Sequence, residues 1–167
     1  MATTYELIAK NVLGSAASSI SLSSIPATYD DLLLVTSLRS TRSANADNPK
    51  LEFNGSSSNY TRRTLTGDGS SAASSTGTTI TFYCPAATAT SDTFSNDSIY
   101  IPNYAGSTNK SFSISSTRED NATNSVIAAI AGLWSDTSAI SSIALSPNTG
   151  PNFSAGSSVY LYGITKS

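Results

Sequence analysis

The chain has no histidine, which excludes Ser-His-Asp and Cys-His catalysis and removes both the commonest metal ligand and the usual neutral-pH proton shuttle. What is left for acid-base work is a pool of 11 carboxylates. A glycosidase would need two of them to converge in a cleft, and the groups on offer are Asp30-Asp31, Glu52, Asp97 and Glu119-Asp120. Adjacent acids such as Asp30-Asp31 more commonly turn the chain ahead of a strand, here the apolar run that begins at Leu32. The reading is therefore non-enzymatic, with no catalytic residue, metal ligand or cofactor assigned.

The remaining chemistry-bearing groups point to binding or to turns. Asn45, Asp47 and Asn48 crowd three oxygen-bearing side chains into one loop, the ligand type of calcium. They lack EF-hand spacing, and Asn and Asp in loops commonly serve the turn itself. Gly67-Asp68-Gly69 lacks the third glycine and the strand-to-helix setting of a phosphate-binding fingerprint, so it reads as a turn. The triplets starting at Asn54, Asn59, Asn109 and Asn121 match a glycosylation acceptor, but roughly a third of the chain is Ser or Thr, a bias that generates such triplets by chance. Trp134, Tyr160 and Tyr162, or Tyr104 in its loop, could stack on a sugar ring without any titratable group. Packing in the core or at a subunit contact is the stronger reading of these rings, and Tyr104 is expected to be buried at a strand end. Cys84 cannot form an internal disulfide and reads as a small core hydrophobe made in a reducing cytosol.

The elements that position these groups are strands. At 167 residues one domain with one core is expected. Only 12% of the residues are charged, but eight Tyr, five Phe and many Ile and Thr argue against disorder. A net charge of −2 and a sequence pI of about 4.8 provide no field for phosphates, so nucleic acid is not an expected partner. Arg62-Arg63, side by side in a strand, would point to opposite faces. No apolar run approaches the ~18 residues of a membrane span, and no charged-then-apolar leader follows Met1. A free-standing, non-membrane domain is expected.

Alternation of apolar and polar residues predicts strands at 5–12, 19–23, 32–39, 50–54, 60–65, 78–84, 97–101, 111–118, 126–134, 140–146 and 157–164. The pair 50–54 and 60–65 is joined by a turn at Asn54-Gly55. Over 125–134, Ile127, Ile130 and Trp134 also sit at helical intervals, but Gly132 would cost a helix about 1 kcal/mol relative to Ala, whereas in a strand it marks a bulge or a close approach. About ten short strands with almost no helical period predict an all-β fold, a single antiparallel β-sandwich of jelly-roll type. Loops are expected at 40–49, 54–59, 67–77 and 85–92. The third has no bulky side chain to anchor it, so it should be mobile unless a neighbour orders it.

Thr4-Tyr-Glu-Leu-Ile8, Ser23-Ser-Ile-Pro-Ala-Thr-Tyr-Asp-Asp-Leu32, Leu51-Glu-Phe-Asn-Gly55 with Asn59-Tyr60, Ile101-Pro-Asn-Tyr-Ala-Gly-Ser-Thr-Asn-Lys110, Gly132-Leu-Trp134 and the alternating C-terminal segment Ala139–Ile164 carry a resemblance as a set. Together they resemble small virion structural proteins of tailed phages, of the type infecting cyanobacteria and marine bacteria. The resemblance implies a β-sandwich on the virion, either a decoration or cement protein of the capsid or a glycan-binding fibre or tip protein of the tail. Chain length favours decoration, because appendage proteins usually carry an attachment part as well. The expected partners are the major capsid protein, other copies of the chain in a homotrimer, and, on the tail reading, a host surface glycan. The chain is expected to assemble in the host cytoplasm. Asn45, Asp47, Asn48 and Asp68 mark the loops expected to be ordered by capsid or neighbouring subunits, and Trp134 or Tyr104 would stack on the glycan.

Overall fold

The computed structural model describes residues 4–121 and 125–165. Within them the chain forms strands and no helix. In chain order the strands are β1 (Tyr5–Val12), β2 (Ile20–Leu22), β3 (Asp31–Ser37), β4 (Ala46–Asp47), β5 (Lys50–Phe53), β6 (Tyr60–Gly67) and β7 (Ala72–Gly77). They are followed by β8 (Cys84–Pro85), β9 (Asn96–Pro102), β10 (Lys110–Arg118), β11 (Val126–Trp134), β12 (Ile143–Ser146) and β13 (Ser158–Ile164). An eight-stranded sheet runs in the order β1-β13-β3-β9-β10-β11-β6-β7, a three-stranded sheet in the order β2-β12-β5, and β4 pairs with β8. Every pairing is antiparallel.

The period-two pattern explains how the large sheet packs. β10 buries Phe112, Ile114 and Ser116 while Ser111, Ser113 and Ser115 face water, and β11 buries Ala128, Ile130, Gly132 and Trp134 opposite them. The small sheet meets this inner face. Phe53 of β5 contacts the rings of Phe112, Trp134 and Tyr60, with centroids 5.2, 5.8 and 6.1 Å away. Ile20, Leu22, Ile143 and Leu145 from the small sheet and Leu32, Leu34, Val159 and Leu161 from the large one complete a single core.

The segment 125–134 is strand, and Gly132 shows why. A Cβ there would lie 2.3 Å from the ring of Phe112, its cross-strand partner, so only glycine lets the ring lie flat on the backbone.

Several expectations need correction. The expected strand 78–84 shrinks to its last residue, Cys84 of β8, which pairs with Asp47: Ile80, Phe82 and Cys84 are fully buried, but 78–83 is held by single contacts, among them the bridge Lys50–Thr81, the bond from Leu51 N–H to Ile80 O and the bond from Phe82 N–H to Pro49 O. Alternation there reports burial and not a ladder. The expected mobile loop at 67–77 is instead half hairpin, because β7 pairs with β6 from Arg62–Gly77 to Gly67–Ala72. Small side chains are no obstacle, since the ladder is made by the backbone. Asn54-Gly55 does form a tight turn, with φ of 51° and 70° and a bond from Ser56 N–H to Phe53 O, the conformation for which Asn-Gly is suited. It joins strands of different sheets, so no hairpin results. The two strands of the C-terminal segment, β12 and β13, do not pair with each other. They lie in different sheets, and β13 sits inside the large sheet between β1 and β3.

Candidate functional site

The groups singled out from the sequence mostly work inside the chain. Asp47 is fully buried. Its carboxylate accepts from Ser40 Oγ at 2.7 Å, from the N–H groups of Asn48 and Gly150 at 2.8 and 2.9 Å, and from Thr149 N–H at 3.3 Å. Donor hydrogens thus surround the oxygens that a cation would need. Asn45 turns its amide to Asp120 Oδ2 at 3.3 Å, away from Asp47. Within the chain, the 40–49 loop is held by β8 and by the segment around Gly150. Asp68, exposed at the tip of the β6–β7 hairpin, accepts from the backbone N–H and the hydroxyl of both Ser70 and Ser71. These four donors hold its carboxyl well below the usual range.

The proposed stacking rings are also interior. Trp134 stacks on Tyr60 with centroids 6.1 Å apart, and its indole Nε1 is buried with no acceptor among the described residues. Tyr104 is fully buried; its hydroxyl donates to Pro26 O and accepts from Tyr29 N–H, tying down the segment before β3. Neither ring can meet a sugar in this structure. Tyr160 and Tyr162 lie half-buried on the outer side of β13. Cys84 is fully buried, and burial pushes its thiol up, out of the range where it would react.

One buried acid stands apart. Asp97 of β9 accepts from Thr36 Oγ1 at 2.9 Å, Ser95 Oγ at 2.6 Å and Ser116 Oγ at 2.6 Å. Ser95 and Ser116 in turn accept from Leu38 and Tyr83 N–H, each at 3.1 Å. Burial outweighs these donors and raises its pKa to about 7. Fully buried, it ties β3, β9 and β10 together.

On the outer face of the eight-stranded sheet, side chains form rows across the strands. One row reads Leu7, Tyr162, Leu33, Tyr100, Ser113, Ala131, Arg63, and the next Lys10, Tyr160, Val35, Ser98, Ser115, Ala129, Leu65. Large side chains fill the β1-β13-β3-β9 half, and small ones floor β10 and β11. The drop between Tyr100 and the pair Arg63 and Leu65 is a trough of about 650 Å³ floored by Ser113, Ser115, Ala129 and Ala131. Of the exposed large apolar residues, Tyr5, Leu7, Val12, Leu65, Tyr100 and Ile127, all lie on this face. Among its ionisable groups, Lys10 and Arg63 stand near opposite edges, and Asp31 is buried under Tyr100, accepting from its hydroxyl at 2.6 Å. That bond pushes the Tyr100 phenol up to about 12.

Sequence reading passed over this face, although its signal was present. The outward positions of β10 and β11 read Ser-x-Ser-x-Ser and Ala-x-Ala, which taken strand by strand is ordinary surface. Only the register puts them side by side. No family model, no curated protein and no solved structure matches the chain.

Proposed function

We propose that the chain is a non-enzymatic structural protein of a tailed-phage virion, a capsid decoration or cement protein that binds the outside of the head and stabilises the shell. The observation that carries the structural part of this reading is the outer sheet face: wide, weakly charged, rich in Tyr, Leu and small residues, and without a convergent catalytic group. Such a face suits protein contact, since the centres of protein interfaces are depleted in charge and enriched in aromatic side chains. The virion part is supported by the sequence segments named above. In this reading the two stacked sheets are a β-sandwich, with a jelly-roll winding as its finer description. The partners are the major capsid protein and further copies of the chain, as a homotrimer. The tail-fibre alternative loses its two stacking rings, Trp134 and Tyr104, to the core.

Mixing the purified chain with capsids that lack it tests the reading. Saturable co-sedimentation and a higher temperature of capsid rupture are expected. Failure to bind capsids, together with retention on a host glycan, would move the protein to the tail.

A further inference from the structure

We infer that the outer face of the eight-stranded sheet is where copies of this chain meet, the large-side-chain half of one copy seating on the β10–β11 trough of another. This rests on the homo-oligomeric part of the reading above and names its surface.

The argument starts from shape. Along the row Leu7, Tyr162, Leu33, Tyr100, Ser113, Ala131, Arg63, Thr76 the side chains fall from large to small halfway across the sheet, and Arg63 is the one large side chain beyond the trough. A face with a raised half and a sunken half is complementary to itself once a second copy is turned so that strand order reverses. Leu33 and Tyr100 of one copy then lie over Ala131 and Ser113 of the other, Val35 lies over Ala129, and outside the trough Tyr162 lies over Arg63 and Leu7 over Thr76. A two-fold closes this contact within a pair. A ring of three closes it with each copy's raised half on the next copy's trough.

Size agrees. Eight strands about 4.8 Å apart and about seven residues long, at about 3.3 Å per residue, give a face on the order of 800–900 Å². A standard specific interface buries about 800 Å² on each partner. Charge agrees as well. Lys10 and Arg63 belong to different rows, Lys10 beside Tyr160 and Arg63 beside Ala131, so strand reversal along the rows does not set one against the other.

Sedimentation of the purified chain, alone and without capsids, reads the outcome. The wild type is expected to form dimers or trimers at micromolar concentration. Ser115→Arg and Ala131→Arg place a long cation on the trough floor at positions exposed in the single chain, and each should weaken association at least 100-fold while leaving the β-sheet circular dichroism unchanged. Ser57→Arg, exposed in the loop between β5 and β6 and off this face, serves as control and should weaken it less than 10-fold. Oxidising a mixture of Leu33→Cys and Ala131→Cys chains should yield the mixed disulfide. A chain that stays monomeric at 200 µM, or an oligomer indifferent to both arginines, overturns the inference. Because no capsid is present, those results leave capsid binding to be decided by its own assay.

Discussion

At the scale of the residue, the polar groups with the strongest environments are structural. Asp97 is the clearest, with a folded pKa near 7 against about 3.9 for an unfolded carboxyl. Folding therefore takes up a proton between those values, so stability is fully present below pH ~4 as far as this group is concerned and declines as pH rises through 7. The melting temperature should fall between pH 5 and pH 8, and Asp97→Asn should flatten that slope; a slope unchanged by the substitution would assign it to another group. Asp47 makes the opposite case, a buried acceptor whose loss strands donors. Asp47→Ala leaves Ser40, Asn48 and Gly150 without their acceptor and should cost about 3 kcal/mol or more in denaturant unfolding. Both acids were visible in the sequence, but their burial was not. Asp47 read as a loop residue serving its turn in a segment to be ordered by a partner, because nothing local foretold that Gly150, far along the chain, would press its N–H against the carboxylate.

At the scale of the element, most strands were legible because the period of two is a local consequence of burying one sheet face. β1, β10 and β11 appear almost where alternation put them. β7 did not, since Ala-Ala-Ser-Ser-Thr-Gly has no apolar alternation and earns its strand from β6 and from the Asp68 turn. Asp68→Ala removes the acceptor shared by Ser70 and Ser71, and amide exchange in 72–77 should accelerate while exchange in β10 and β11 stays slow. Equal acceleration throughout would mean that the turn sets global stability. Gly132→Ala tests the other local device. The new Cβ would meet Phe112, and an overpacking loss of about 1–3 kcal/mol is expected, against a gain if the strand merely preferred alanine.

At the scale of the whole molecule, two stacked sheets share one core, with Cys84 inside it. Labelling of that thiol at pH 8 should therefore follow global unfolding and run at least ~10³-fold slower than labelling of the unfolded chain. Rapid labelling would show that the β4–β8 corner opens on its own. The segment 139–164 illustrates how far sequence reaches. Its two alternating stretches are both strands, and Ile143, Leu145, Val159 and Leu161 are all core residues, as their pattern predicts. Yet the strands divide between two sheets, because pairing depends on which distant edges are free. The sequence by itself determined the all-β class, most strand positions and the absence of histidine chemistry, for these follow from composition and from a period read within a few residues. Tertiary structure alone decided the register. It is the register that sinks Trp134 and Tyr104 into the core and aligns Tyr100 beside Ser113 and Ala131 on the outer face, because each of those neighbourhoods is made by backbone ladders between residues remote in the chain.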